Sequence, residues 1–474
     1  MKGTKKFIYI FFIIILLADL SYSFLEYYNT PFDGDMAGGI VPAEDVQKIF
    51  EDPFGISVIL KNEKHPNPNR FFAHLFFKEY FQNIPLFLQK IVTPINSVYF
   101  ASAIIKLLVQ VLFIYLLSSI ISKTNSIFNI KFLTVAVLII PLFQAFGYVS
   151  LRIIDQATTY FFFYSLPLVL LILFLSFFYK VVYDNKEKIS ILSHIILILL
   201  TIILPFSGPL VSPIILIVSL LIFIKYYKSS NLSKFYFLSN FFKNTPKILF
   251  IYLIPISMLS LYSLWLGTYN TTYQTDVLPL MQRYAKLPIG LFFLFADKIG
   301  LPVLSFFIII NIFVIKKHYN TNEGNKIINS FKWIGVFALL YILLLPLGGY
   351  RPYRPNIIRF DTFMPITIGL IYLYGISSYF LLKNIKKRKY IYIAVTILFF
   401  LIYTNSDKSK LNGNKCEKES LQLIANSTDS IVLIENNCKI LSWEVITDYK
   451  KSELNAKLIK LWQITEQEKL YYHK

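Results

Sequence analysis

Two aspartates flank a glycine in the long polar segment that follows the first apolar run of the chain. Asp33 and Asp35 enclose Gly34, and two further glycines follow closely. A carboxylate can take the proton from an acceptor hydroxyl, and two carboxylates can hold a divalent metal through their oxygens. Asp and Gly are also common turn formers, so an ordinary turn is the alternative. The pair predicts a catalytic base, Asp33 first and Asp35 next, or a metal site.

Arginine is scarce in this chain and unevenly placed. Only seven of the 47 basic residues are arginines. Arginine has a planar fork that suits phosphate or carboxylate, which lysine lacks. The alternatives are outer-leaflet headgroups or pairing with an acid such as Asp361. The five arginines expected to bind phosphate lie in segments assigned below to the outer side: Arg70, Arg283, Arg351, Arg354 and Arg359.

Hydrophobic residues form 55% of the 474 positions and occur in long blocks. This pattern excludes a soluble enzyme, a disordered protein, and a barrel, whose strands would alternate apolar with polar residues. We expect an all-α polytopic membrane protein of about eleven transmembrane helices. The first run is either a retained span or a cleaved signal peptide. The other spans are predicted near 100–121, 132–150, 160–178, 190–205, 210–225, 247–266, 300–315, 331–347, 362–382 and 389–404.

Charge sets the expected orientation, because cytoplasmic loops of membrane proteins are rich in lysine and arginine. Alternate segments between the spans hold 22 basic and three acidic residues, whereas the first loop, 24–99, holds six basic and nine acidic residues. The N-terminus is therefore expected inside and the C-terminus outside. The net charge of +20 is explained this way, and no nucleic-acid partner is expected.

The domain plan separates a membrane domain, 1–405, from a small outer α/β domain, 406–474. Within the first outer loop, residues 71–88 are expected to form an interfacial helix. In the tail, 430–435 and 438–446 are expected to form two strands around a turn, and 453–464 a helix. Both cysteines, Cys416 and Cys438, lie in this tail, so a disulfide is predicted, with two free thiols as the alternative.

Three sequence features together resemble the GT-C superfamily of integral-membrane glycosyltransferases. They are the acidic motif Asp33-Gly34-Asp35, the His-Pro element at His65, and the late loop from Arg351 to Arg359 that leads into RFDTFMPI. The resemblance covers the membrane region but not 406–474. It implies a polyprenyl-phosphate-linked sugar donor, an envelope glycan or glycolipid acceptor, and catalysis on the face opposite the cytoplasm. It also adds His65 to the candidate substrate-binding residues.

Other functions remain open at this stage. A polysaccharide polymerase or ligase would also use outer-loop arginines. A flippase or transporter would be expected to place charges around a cavity at mid-membrane, and a scaffold would tolerate conservative changes. The composition, which is rich in lysine, asparagine and isoleucine and poor in arginine, suggests an AT-rich bacterial genome. The expected location is the bacterial cytoplasmic membrane. The sugar, the acceptor and any requirement for a divalent metal are not determined by the sequence.

Overall fold

The structure is a computed structural model that describes residues 2–184, 190–229, 237–271, 278–350, 352–408 and 410–474. Within these residues nine helices are long and apolar enough to cross a membrane. They indicate a mostly helical, multi-pass membrane protein, as the sequence predicted. The helices are α1 (Lys2–Tyr28), α2 (Met36–Ile40), α3 (Glu44–Glu51), α4 (Ile56–Lys61), α5 (Phe71–Leu88), α6 (Pro94–Ser122), α7 (Ile130–Ile139), α8 (Thr158–Tyr160), α9 (Leu166–Asp184), α10 (Ile191–Ile203), α11 (Val211–Ser229), α12 (Phe237–Asn244), α13 (Lys247–Leu266), α14 (Leu280–Ala285), α15 (Leu287–Ala296), α16 (Gly300–His318), α17 (Asn322–Leu344), α18 (Phe360–Asn384), α19 (Lys389–Ser406), α20 (Lys415–Asn426) and α21 (Glu453–Leu461).

Two predicted spans form shorter helices than expected. The segments predicted at 132–150 and 190–205 give apolar helices at Ile130–Leu142 and Ile191–Ile203. At 1.5 Å per residue each is roughly 20 Å long, against about 30 Å of hydrocarbon. Pro141 and Pro205 lie two residues after the ends of α7 and α10, and a proline has no backbone N–H to donate to the helical hydrogen bonds. The count of eleven spans stays a prediction.

The loops assigned to the outer side by charge gather at one end of the bundle. The amide of Phe72 in the first loop donates to the carbonyl of Phe206 at 3.1 Å, just after α10. The amide of Phe146, after α7, donates to Asp407 at 2.8 Å, just after α19. Both short helices therefore lead to the same end as their longer neighbours. This grouping agrees with the predicted alternation, and which side faces the cytoplasm stays a prediction.

The C-terminal unit, which we define as residues 410–474, contains a sheet of two parallel strands. Strand β1 (Ile431–Ile434) pairs with β2 (Leu470–His473), in the register Ile431 to Leu470. The expected strand at 438–446 is wrong, because that segment is irregular and lies against the membrane domain instead. The chain passes from β1 through α21 to its parallel partner β2. Helix α21 confirms the helix expected at 453–464.

This unit packs firmly on the membrane domain. Its Trp462 is fully buried and donates its indole N–H to the carbonyl of Phe81 in α5 at 3.0 Å. The buried carboxylate of Glu417 in α20 accepts hydrogen bonds from the amide of Phe32 at 3.0 Å and from the Tyr99 hydroxyl at 2.8 Å. One continuous apolar core joins the two parts. Helix α5, expected to lie on the membrane surface, is therefore covered on one face by the C-terminal unit.

Candidate catalytic site

Two cavities meet where the gathered loops join the spans. The loop cavity, about 720 Å³, lies between the Asp33–Gly39 loop, the start of α5 and the C-terminal unit. The span cavity, about 440 Å³, lies between the same end of α11, α13 and α17. Arg70, Tyr164 and Arg354 line both cavities. The two cavities are therefore adjacent and have these three side chains as a common wall.

Asp33 is buried and fixes the start of a predicted span. It is 4% exposed, and its carboxylate accepts hydrogen bonds from the amide of Thr159 at 2.9 Å and the Thr159 hydroxyl at 2.7 Å. Thr159 lies in the first turn of the helix that begins at Thr158, where backbone N–H groups lack partners within the helix. Burial raises the pKa of Asp33, and the bonds from Thr159 act in the opposite direction. Asp33 thus acts as a helix cap supplied from a distant loop.

Asp35 is the member of the pair that faces the loop cavity. Its side chain is exposed and lines that cavity, and its amide donates to Asp33 at 3.1 Å. The turn between the two aspartates therefore points one carboxylate into the protein and the other into the cavity. In the described part of the chain, no group of three or more His, Cys, Asp or Glu side chains is placed to hold a metal ion.

The late loop contributes two arginines that share one carboxylate. Arg359 makes two hydrogen bonds to Asp361, at 3.1 and 2.8 Å, and lines the span cavity. Arg354 lies 3.5 Å from the same carboxylate and donates to the Tyr160 hydroxyl at 2.8 Å. Pairing with Asp361 was the sequence alternative to phosphate binding, and the structure contains that pairing. However, the same Asp361 carboxylate pairs with both Arg354 and Arg359. The guanidinium of Arg70 adds a third positive charge at the junction of the two cavities.

Two predicted substrate-binding residues, His65 and Arg283, line neither of the two cavities. His65 is buried and its Nδ1 lies 3.1 Å from the carbonyl of Pro66, in a segment that bridges to Asn270. Arg283 donates to the carbonyl of Leu278 at 2.7 Å and so stabilises its own loop. Arg351 lies outside the described residues.

The sequence interpretation missed His74, one turn after Arg70 at the start of α5. His74 is 4% exposed and lines the loop cavity. Among the described residues, neither ring nitrogen of His74 has a hydrogen-bond partner. The pKa of His74 is lowered to about 3, mainly by burial and to a smaller extent by the positive charge of Arg70. The ring is therefore neutral at physiological pH. The spacing of four residues, which puts two side chains on one helical face, was the available signal.

Aromatic side chains form the floor between the cavities. A π-helical segment, Phe161–Ser165, joins α8 to α9 and directly follows Tyr160. Such segments insert an extra residue into the helical turn and occur often at functional sites. Tyr160 and Tyr164 lie one turn apart with ring centroids at 6.1 Å, and the Arg70 guanidinium is 6.0 Å from the Tyr164 ring. No periodicity in the sequence distinguishes these tyrosines from core residues.

A third, apolar cavity of about 300 Å³ lies further along the spans, toward the opposite end. It lies between α9, α11, α17 and α18, and Phe337 and Ser330 line it. Tyr341 lines the span cavity one turn above Phe337 on the same helix. From Tyr341 to Ser330 the helix rises roughly 16 Å. Helix α17 therefore lines one cavity beside the arginines and another deeper among the spans.

Comparison with known proteins gives no assignment. No family model matches this chain, and neither a curated protein nor a solved structure matches it.

Proposed function

We propose that the chain is a GT-C-like membrane glycosyltransferase. In this proposal it moves a sugar from a polyprenyl-phosphate donor to an envelope acceptor at the outer face of a bacterial cytoplasmic membrane. The observation that carries the proposal is the junction of the two cavities. Carboxylate and imidazole groups lie on one side of it, apolar walls lie on the other, and arginines lie between them.

The donor would bind with its phosphate at the junction. Arg70, Arg354 and Arg359 present three guanidinium groups there, and Asp361 pairs with Arg354 and Arg359. A polyprenyl chain would follow the apolar walls of α11 and α17, entering sideways between spans. A guanidinium fork binds phosphate oxygens in pairs, which fixes the orientation of the donor as well as its position.

Asp35 is the proposed general base. It takes the place of Asp33, which was the first candidate from the sequence. A base must reach the proton that it takes, and Asp35 lines the cavity whereas Asp33 is held by Thr159. In the step, an acceptor hydroxyl oxygen bonds to the anomeric carbon and its proton passes to Asp35. The bond from that carbon to the phosphate oxygen breaks, and its electron pair leaves with the polyprenyl phosphate. The arginines would stabilise the charge that grows on this leaving group.

His74 would orient a substrate hydroxyl. A neutral imidazole offers one N–H donor and one acceptor nitrogen, and burial keeps His74 neutral. Its two nitrogens are unsatisfied among the described residues, and an unsatisfied buried polar group costs about 1–3 kcal/mol unless a ligand or water bonds to it. A sugar hydroxyl in the loop cavity would bond to one of these two nitrogens.

The test is a mass profile of envelope glycans and glycolipids from a deletion strain. The strain is complemented with the wild-type chain, with Asp35→Asn, or with an empty vector. We expect the wild type to restore a sugar that Asp35→Asn, present at equal abundance, does not restore. The matched control is Asp45→Asn, an exposed aspartate that lines neither cavity. Full restoration by Asp35→Asn would remove the proposed base, and an unchanged profile in the deletion would reject glycosyl transfer.

A further inference from the structure

The C-terminal unit supplies a large part of the loop-cavity wall. Residues 441–447, with Lys451 and Asn455, face the Asp35 side of that cavity. The segment is irregular although its sequence resembles a strand, and it is anchored: the amide of Leu441 donates to the buried Glu417 at 3.0 Å. A fixed irregular segment on a folded support is typical of binding loops.

Trp443 is the most exposed large apolar side chain of this wall. It is 46% exposed, yet its ring stacks on Tyr160 with centroids at 5.8 Å and planes 26° apart. It also lies against Gly34, since a Cβ on that glycine would be 2.6 Å from the indole Cδ1. Trp443 therefore stands between the turn that carries Asp35 and the tyrosine that holds Arg354.

Polar side chains line the same cavity wall as this indole. They are Ser442, Glu444, Thr447 and Lys451, and all but Ser442 are exposed. A pyranose ring has an apolar face of C–H groups and a rim of hydroxyls, so it needs an aromatic surface with hydrogen-bonding groups around it. Aromatic side chains give such contact area with little loss of conformational freedom. A lipid alcohol would need no such rim.

We propose that residues 441–447 form the acceptor subsite, and that the acceptor is a saccharide whose ring stacks on Trp443. This inference rests on the proposed function, because it names the substrate that offers its hydroxyl to Asp35. It gives the C-terminal unit, which the family resemblance does not cover, a direct part in substrate selection. The stack on Tyr160 fixes the angle of the indole relative to the donor side.

Saturation-transfer NMR on the purified full-length protein in detergent tests the subsite without requiring transfer. The probes are the methyl glycosides of glucose, galactose, mannose and N-acetylglucosamine. We expect at least one to bind the wild type, with affinity about tenfold lower for Trp443→Ala, which corresponds to about 1.4 kcal/mol. Trp443→Phe should keep most of the affinity. Trp265→Ala is the control, because Trp265 is 47% exposed and lines neither the loop cavity nor the span cavity.

The outcomes separate this inference from the proposed function. Equal binding by the wild type and Trp443→Ala, or no binding of any glycoside by the wild type, would overturn the subsite. If binding depends on Trp443 while Asp35→Asn still restores the cellular glycan profile, the subsite stands and the catalytic proposal fails. If Asp35→Asn fails to restore that profile while Trp443→Ala binds and restores it fully, the transfer stands and this subsite fails.

Discussion

At the scale of single residues, the two aspartates of one turn have different environments. Asp33 is buried and bonded to Thr159, whereas Asp35 is exposed to the loop cavity. The sequence identifies the motif but does not show which of the two aspartates is buried. The burial of Asp33 depends on Thr159, which lies 126 positions away. The same limit applies to His65 and His74. A motif match favoured the first, and only the packing of α5 brings the second to the cavity.

Substitution should therefore separate stability from activity within this pair. We expect Asp33→Ala to lower the free energy of unfolding by about 1–2 kcal/mol, because it removes a helix cap. Asp35→Ala should leave stability unchanged and abolish transfer. Thermal unfolding in detergent, followed by intrinsic fluorescence and set beside the glycan profile, measures both effects. A stability loss confined to Asp35→Ala would contradict the assignment of roles.

Arg354 should not be replaceable by lysine. It lines both cavities and bonds Tyr160 and Asp361 at once, which a single ammonium cannot reproduce with the same geometry. We expect Arg354→Lys to reduce transfer at least about tenfold, the size expected for loss of one oriented charge at a leaving group. Arg388→Lys, in an exposed turn between α18 and α19, is the control. Equal activity of the two variants would count against phosphate binding by Arg354.

At the scale of elements, long apolar blocks predict helices well, because one span needs about 20 apolar residues and little else. The predictions that were wrong concern short segments of the C-terminal unit. The strand expected at 438–446 does not form, since its backbone bonds Glu417 and its side chains face the membrane domain. The parallel pair of β1 with β2 needs a crossover through α21, and residues 431–434 alone do not specify their partner.

Two glycines of the same loop offer a test of how the elements fit. A Cβ on Gly34 would lie 2.5 Å from the backbone nitrogen of Trp443, whereas a Cβ on Gly38 meets only Ala43, at 4.0 Å. We expect Gly34→Ala to displace the C-terminal unit and to reduce transfer strongly, and Gly38→Ala to have little effect. Limited proteolysis of the C-terminal unit reports the displacement. If both variants resist proteolysis equally, the close approach at Gly34 is not needed for docking.

At the scale of the whole molecule, the C-terminal unit and the membrane domain share one core, so the site depends on both. Glu417 is central to this contact, because its carboxylate bonds Phe32, Tyr99 and Leu441. The sequence indicated a separate small domain stabilised by a disulfide. The structure joins Cys416 to Cys438, whose Cα atoms are 5.9 Å apart, directly beside Glu417.

Docking of this unit should weaken as the pH rises toward neutrality. Burial raises the pKa of Glu417 from 4.5 to about 7, against the opposing bonds from Leu441, Phe32 and Tyr99. Between these two values the folded protein binds more protons than the unfolded chain, so this contribution to stability is present below pH 4.5 and is lost as the pH rises through about 7. We expect a slope of about 1 kcal/mol per pH unit over that window.

Thermal unfolding of the wild type and Glu417→Gln across this pH range measures the effect. The glutamine keeps the shape and cannot ionise, so its melting temperature should change less with pH. The unit contains two of the four tryptophans, Trp443 and Trp462, which report on it by fluorescence. Parallel pH profiles for the two proteins would contradict the role of Glu417.

Asp35 is the proposed general base for transfer from a polyprenyl-phosphate-linked sugar, so the amount of that lipid donor in the membrane is the most direct readout. Mass spectrometry of membrane lipids would compare the deletion strain carrying the wild-type chain, Asp35→Asn or Asp45→Asn. We predict that one polyprenyl-phosphate sugar accumulates with Asp35→Asn and not with the other two chains. If no such lipid accumulates while Asp35→Asn is present at wild-type abundance, the account of this protein as a glycosyltransferase is contradicted.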